Sequence, residues 1–277
     1  MNPTRSGRKV GLALGSGAAR GLAHIGVLEV LHNEGIPVDM IAGTSAGAVF
    51  GAIYANNTDT DRIKHQALEL NWKTMSLIDP VVPRSGFIRG RKILELISRY
   101  IDPDTRFSDL KIPFACVATD IDTGDEVVIE NGPLLEALRA SISIPAIFTV
   151  VKRGDRYLVD GGLSTPVPVD VAKRMGADFI IAVNVMPDVT VRSREAIQKR
   201  TAARKKAPNV FHVMLQSIYI STYMQARSSM QDADIIIEPD LDHLGAGDFN
   251  KAEDFIARGE EAAQAVIPQI KKALKGL

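Results

Sequence analysis

The sequence predicts a three-layer α/β/α fold around a mostly parallel central sheet. Segments of strand-like and helix-like character alternate along most of the chain, as such layered folds require. Two strand–turn–helix units also follow one another closely, their glycine-containing turns opening at Gly15 and centred on Ser45. These positions are 30 residues apart, close to the length of one βαβ unit.

The elements follow in order. Val10–Leu14 is a short apolar run that reads as a buried strand, and Gly15–Gly21 is a turn of small residues. Leu22, Ile25, Leu28 and Leu31 then recur at helical spacing, and Gly35 is placed to end that helix. Ile36–Ala42 has strand composition and completes a βαβ unit, expected to be parallel and right-handed. Gly43–Gly47 leads into Ala48–Ala55, small and apolar enough for an interior helix. Amphipathic helices are predicted at Asp61–Asn71 and Arg91–Tyr100, separated by a turn-rich stretch over Asp79–Gly90. Strands follow at Ile112–Ala118 and Glu126–Ile129, then a helix over Pro133–Ser141. Ile147–Val151 and Arg156–Val159 read as a strand pair around Gly154. Val167–Met175 and Asp178–Val185 add a helix and a strand. Residues 186–208 carry Arg192, Arg194, Lys199, Arg200, Arg204, Lys205 and Lys206 with little apolar periodicity, and read as a mobile basic surface loop. A long helix over Asn209–Ser229, a strand at Asp234–Ile237 and a helix over Lys251–Ala273 close the chain.

With 277 residues, 45% of them hydrophobic and 24% charged, the chain can bury a large core as one α/β domain spanning residues 1–277. Thirty-three basic residues balance thirty-three acidic ones, so no net field recruits nucleic acid, and no nucleic-acid partner is expected. The single cysteine, Cys116, excludes an internal disulfide framework and fits a reducing compartment, which makes the cytoplasm the expected location. Arg5, Arg8 and Lys9 before Val10–Leu14 mimic the start of a signal peptide, but Gly15, Ser16 and Gly17 break the apolar run and Arg20 ends it. No stretch approaches the ~18–20 uninterrupted apolar residues of a membrane span, so any membrane contact is expected to be peripheral. No H-E-x-x-H motif or clustered His/Cys set is present, and neither a metal nor another cofactor is expected. Nothing in the sequence specifies an oligomeric state.

Three short segments carry the chemistry. Gly15-Ser16-Gly17-Ala18-Ala19-Arg20-Gly21 departs from the dinucleotide fingerprint, because Arg20 falls where the third glycine belongs, and no Gly-Lys-Ser/Thr follows to make a P-loop. It offers backbone N–H groups at a helix start, which stabilise negative charge. Gly43-Thr44-Ser45-Ala46-Gly47 fits the G-x-S-x-G elbow, in which a serine sits on a sharp strand-to-helix turn and Gly43 and Gly47 relieve crowding. Parallel strands joined by one crossover end on the same side of the sheet, so the glycine-rich N–H groups and the Ser45 hydroxyl should face each other. The third segment, Asp160-Gly161-Gly162, reads either as a capped β-turn or as a carboxylate held at a strand end and directed at Ser45.

The order of these parts argues against a conventional α/β-hydrolase, which places several strands before its elbow and supplies a late histidine. His24, His32, His65 and His212 lie on predicted helices and read as packing or surface residues. His243, in Asp242-His243-Leu244-Gly245, is the one late-loop histidine that would close a Ser-His-Asp triad. A non-enzymatic regulator whose glycine loop binds phosphate or a nucleotide is a further alternative.

The segments G-S-G-A-A-R-G, G-T-S-A-G and D-G-G, in this order, resemble the patatin-like phospholipase family, in particular its short bacterial members related to neuropathy target esterase. The resemblance extends through His24-Ile25-Gly26-Val27-Leu28, Ala118-Thr119-Asp120 with Thr123-Gly124, and Ser143-Ile144-Pro145. It implies a Ser-Asp dyad without histidine, with Ser45 as nucleophile, Asp160 as base and the backbone around Gly17 and Ala18 as oxyanion hole. The candidate oxyanion loop comprises Gly15, Ser16, Gly17, Ala18, Arg20 and Gly21, and Gly161 and Gly162 shape the turn after Asp160. Two departures stand out: Ser16 and Ala18 interrupt a glycine tract that is often continuous in the family, and Thr165-Pro166 stands where many members have Asn-Pro. The implied substrate is a lipid ester, phospholipid or lysophospholipid. An ordinary carboxylate, pKa ~3.9, is a weak base toward a hydroxyl, so the site is expected to be dry enough to raise it. Ile142, Ile144, Pro145, Ile147 and Phe148 are candidates for an apolar wall.

Overall fold

The computed structural model of the chain describes residues 7–69, 86–186 and 210–275. Strand β1 (Val10–Leu14) is followed by a 3-10 turn (Ala18–Leu22) and helix α1 (Ala23–Asn33). Gly35 leaves the helix in the left-handed conformation, φ 67°, and the Ile36 N–H returns to the Leu31 carbonyl. This closure delays the next strand, so β2 spans Met40–Thr44 rather than starting at Ile36. Asp39 marks the start: its carboxylate accepts from the Val10 N–H at 2.8 Å, and its own N–H donates to the Val10 carbonyl.

The remaining elements are α2 (Ala46–Asn56), α3 (Thr60–Leu68), β3 (Gly86–Ile88), α4 (Arg91–Ile97), β4 (Phe114–Asp120), β5 (Glu126–Ile129) and α5 (Leu134–Ser141). After these come β6 (Ala146–Phe148), β7 (Val151–Arg153), β8 (Arg156–Asp160), α6 (Val169–Arg174), β9 (Phe179–Val183), α7 (Val210–Ser229), β10 (Ile235–Ile237) and α8 (Ala252–Lys275). An eight-stranded sheet runs in the order β10-β9-β1-β2-β4-β8-β7, with β5 also paired to β4. The pairs from β10 through β4 are parallel, and those of β4 with β5 and β8, and of β7 with β8, are antiparallel. The parallel part and its crossover helices match the predicted class.

Two local expectations fail. The single strand predicted over Ile147–Val151 is split: β6 pairs with β3 in a separate two-stranded sheet, while β7 pairs with β8 around Gly154. Arg139, a buried residue on α5, explains the break. Its guanidinium donates to the carbonyls of Arg89 (2.7 Å) and Thr149 (2.9 Å), drawing the chain away from the larger sheet between β6 and β7. Within the turn-rich stretch, residues 86–88 form the partner strand β3, while 79–85 lie outside the described residues. Of the basic stretch read as a mobile loop, 186–208, residues 187–208 also lie outside them.

Side-chain alternation along the strands makes the two sheet faces unequal. Leu12, Leu14, Ile41, Phe114, Cys116, Phe179 and Ile181 point into the larger core, formed with α1, α2, α5 and α8. Ala13, Ala42, Ala115, Val117 and Ala182 face the smaller one, against Val169, Val171 and Ala172 of α6 and Ala226 of α7. Small residues there let the helices approach closely. The parallel strands β1, β2 and β9 therefore emerge fixed from both sides, and the loops at their carboxyl ends are where the candidate site lies.

Candidate active site

Ser45 is the residue between β2 and α2. Its backbone has φ 53° and ψ −119°, a conformation L residues rarely adopt, which costs about 1–3 kcal/mol and persists only where the surroundings enforce it. The enforcement is steric and polar. A Cβ at Gly47 would lie 2.2 Å from the Leu14 carbonyl oxygen, and one at Gly43 would lie 2.6 Å from the Cα of Ala48, so only glycines fit on either side of the turn. The Ser45 N–H donates to Ser141 Oγ (2.9 Å), and that hydroxyl donates onward to the Val117 carbonyl (2.6 Å).

Asp160 reaches Ser45 through the sheet. Thr44 on β2 pairs with Val117 of β4, and Asp160 on β8 pairs with the next residue, Ala118. Both Val117 and Ala118 also pair with β5, which therefore occupies the other edge of β4. It follows that β2 and β8 share one edge of β4 and meet head to head, their carboxyl ends abutting. The last residue of β8 is thereby brought against the first residue after β2, and Ser45 Oγ donates to Asp160 Oδ2 at 2.6 Å. The second carboxylate oxygen, Oδ1, accepts from the Gly162 N–H at 2.8 Å. The backbone of Asp160 is held as firmly: its N–H donates to the Ser143 carbonyl, and its carbonyl accepts from Thr119 Oγ1. A Cβ at Gly161 would lie 2.2 Å from the Val117 carbonyl oxygen, so the turn after Asp160 also requires glycine.

Both side chains are buried, Ser45 at 4% and Asp160 at 6% exposure. Burial raises the Asp160 carboxyl to about 6, against the opposing effects of the hydrogen bonds from Ser45 and Gly162. The site thus pairs a strained hydroxyl with a carboxylate that is a stronger base than an exposed one.

The glycine loop completes the cluster. A Cβ on Gly162 would lie 3.1 Å from Ser16 Oγ, and one on Gly21 would lie 2.4 Å from Ala46 Cβ, so the three sequence segments are in contact. The loop's N–H groups are not equivalent. Gly15 N–H donates to Val183, Ser16 N–H to Pro166, and Arg20 N–H to Gly17, so these three of the six candidate oxyanion residues already have acceptors. Gly21 lies within the 3-10 turn. The N–H groups of Gly17 and Ala18 have no acceptor among the described residues, and Ala18 itself sits at φ 51°, unusual for alanine.

Arg20 serves the loop differently: it is buried, donates from Nε to the Leu244 carbonyl, and lies 5.1 Å from the centre of the Tyr219 ring on α7. His24 is likewise buried, with Nε2 2.8 Å from the Gly15 carbonyl oxygen and a pKa lowered to about 4 by burial, so it braces the loop as a neutral ring. His243 is exposed and bonds neither Ser45 nor Asp160, whose carboxylate oxygens are taken by Ser45 and Gly162. His32 and His65 lie on α1 and α3, and of His212 only its place in α7 is described. Among the described residues, no group of three or more His, Cys, Asp or Glu is arranged to hold a metal ion.

Of the proposed apolar wall, Ile142 and Phe148 are buried, and Ile144, Pro145 and Ile147 are half-buried. The Thr165-Pro166 departure has a structural role: the Thr165 carbonyl accepts from Thr44 Oγ1 (2.8 Å) and the Pro166 carbonyl accepts from Ser16 N–H (2.9 Å), tying this loop to both elbow and glycine loop. Sequence reasoning passed over Ser141. The signal was present, since serines at 141 and 143 interrupt the apolar register of a helix end and both prove to be fully buried.

A family model described as Patatin-like phospholipase matches residues 12–173. An NTE family protein of Mycobacterium tuberculosis (strain H37Rv) is 38% identical over 198 residues, which cover 71% of this chain and 54% of that protein. Patatin-like phospholipase domain-containing protein 6 of Mus musculus is 30% identical over 280 residues, covering 94% of this chain and 21% of that protein. The chain thus spans about half, or less, of the length of these relatives. Among solved structures, VipD from Legionella pneumophila superposes with a TM-score of 0.55 over 96% of this chain and 68% of that one, at 11% identity, a likeness of fold.

Proposed function

Since the chain belongs to the patatin-like phospholipase family, whose name supports a lipid hydrolase, we propose that it cleaves acyl-ester bonds of phospholipids or lysophospholipids with Ser45 as nucleophile and Asp160 as base. The observation that carries this reading is the 2.6 Å hydrogen bond from Ser45 Oγ to a buried carboxylate with no histidine between them.

In the proposed reaction Ser45 Oγ attacks the ester carbonyl carbon while its proton passes to Asp160 Oδ2. The carbonyl oxygen becomes an oxyanion, and the N–H groups of Gly17 and Ala18 are its donors in this reading. Collapse of the tetrahedral intermediate breaks the bond to the alcohol, which takes the proton from Asp160. The restored carboxylate then accepts a proton from water as the water attacks the acyl-Ser45 ester, and the fatty acid leaves as Ser45 recovers its proton. Gly162 fixes Oδ1 throughout, so that Oδ2 alone faces the hydroxyl.

The strained turn at Ser45 fits a nucleophile whose hydroxyl must stay within reach of both base and oxyanion donors. The reading is tested with a fluorophosphonate probe: it should label Ser45 of active protein, and Ser45→Ala should lose both labelling and esterase activity. Undiminished turnover in Ser45→Ala would overturn it.

A further inference from the structure

Helix α7 has two unlike faces. Thr222, Tyr223 and Ala226 are buried, Tyr219 stacks on Arg20, and the helix packs on the 3-10 turn Gly161–Leu163 directly after Asp160. The opposite side carries Val213, Ile220 and Met224, spaced i, i+7 and i+11, which at helical geometry fall within about 40° of one another. They are 49%, 45% and 60% exposed, and Val210 and Met214 flank them, also exposed. From Val210 to Ala226 there is no Asp, Glu, Lys or Arg. A soluble surface helix ordinarily turns charges outward, as α8 does with Glu253, Asp254 and Glu261.

We propose that this outer face of α7 docks the protein on an anionic lipid bilayer. The proposal rests on the lipid-hydrolase reading above for its purpose, and on three observations for its occupant. Residues 192–206, just before the helix in sequence, hold seven Arg and Lys against one acidic residue, in a chain whose total charge is zero, a local bias of the sequence that complements an anionic surface. The stripe is sparse, with Ser217 and Ser221 between the apolar residues, which suits shallow insertion better than a packed protein seam. Finally, the inner face of the same helix touches the loops of the candidate site, so docking would hold that site about one helix diameter, ~10–12 Å, from the lipid. Interfacial helices sink ~5–10 Å into the headgroup region, a depth that would bring the rim of the site to the ester level of the bilayer. Among the described residues no helix is long and apolar enough to cross a membrane.

The test is co-sedimentation of the full chain with phosphatidylcholine vesicles containing or lacking phosphatidylglycerol. The unmodified chain should bind the anionic vesicles more strongly. I220D/M224D should lower partitioning about tenfold or more, and I220Q/M224Q should lower it too, because what is removed is apolar area. Both variants should keep their circular dichroism and their hydrolysis of a soluble short-chain ester, while hydrolysis of vesicle-borne lipid falls with binding. S45A should bind vesicles as the unmodified chain does, which separates a failure of docking from a failure of the catalytic assignment. Equal vesicle binding by the unmodified chain and the double variants, or no binding by the unmodified chain, overturns the proposal. So does a dimer in light scattering that I220D/M224D converts to monomer, since the stripe would then be an interface between copies.

Discussion

Replacing Asp160 with Asn should separate activity from stability in opposite directions. The carboxylate is buried and its pKa is raised to about 6 from an ordinary 3.8, chiefly by desolvation. A group whose folded pKa lies above its unfolded one binds more protons when folded, so folding loses stability as pH rises from about 3.8 to about 6, and the loss is complete above that. At about 1.4 kcal/mol per unit, the ionised side chain costs the fold about 3 kcal/mol at pH 8 and roughly half of that at pH 5. The asparagine side chain would keep the shape, and its carbonyl can still accept from Gly162 N–H while its amide faces Ser45 Oγ. The variant should therefore melt several degrees higher than the parent at pH 8, at ~2–4 °C per kcal/mol, with a smaller gain at pH 5. Its kcat should nonetheless fall ~10²–10⁴-fold, the typical worth of a general base. Thermal melts at both pH values, alongside turnover of one soluble ester, decide the matter. Turnover within tenfold of the parent, or a melting point that drops at pH 8, would refute the reasoning.

Other perturbations have equally definite outcomes. In the proposed reaction Asp160 takes a proton only when ionised, so kcat/KM should rise with pH through about 6 and then level; a profile flat from pH 5 to 8 would count against this base. His243→Ala should leave kcat within a few-fold of the parent, since this exposed ring bonds neither Ser45 nor Asp160, and abolished turnover would reinstate a triad. Gly47→Ala should cost several kcal/mol or prevent folding, as its Cβ would meet the Leu14 carbonyl oxygen at 2.2 Å, measurable by urea titration. Ser141→Ala should lower kcat by about tenfold or more through the released Ser45 N–H, with KM little changed.

The parts of the fold that were legible in the sequence are those fixed by local rules. β1, α2, α5 and β5 declare themselves through apolar runs, small residues or amphipathic period, and the segments around Gly15, Ser45 and Asp160 through residues a sharp turn demands. What escaped was decided by distant partners. The late start of β2 depends on Asp39 meeting Val10, across α1. The split of the strand predicted over 147–151 depends on Arg139 reaching the carbonyls of Arg89 and Thr149, and β3 exists only because β6 lies beside it. The same holds in the candidate site: proximity of Ser45 and Asp160 was expected, and the polar interruption at Ser141 could mark that residue as buried, but its partner, the Ser45 N–H, lies 96 residues away and no local pattern names it.

That the proposed reaction uses a carboxylate where other serine hydrolases use an imidazole has a physical logic in this fold. An imidazole works as a base near neutrality because its ordinary pKa is ~6.5. Here β2 and β8 meet end to end on one edge of β4, so the carboxylate lands 2.6 Å from the hydroxyl and no ring fits between them. An exposed aspartate in that place would be too weak a base, but burial raises Asp160 to about 6, within roughly one unit of imidazole. The hydrogen bonds from Gly162 and Ser45 oppose that rise, because both favour the charged form that must accept the Ser45 proton in the proposed reaction. The basicity comes from the same burial that costs the fold about 3 kcal/mol, so any substitution that opens the site to water should lower the pKa of Asp160 and weaken it as a base while relieving that cost.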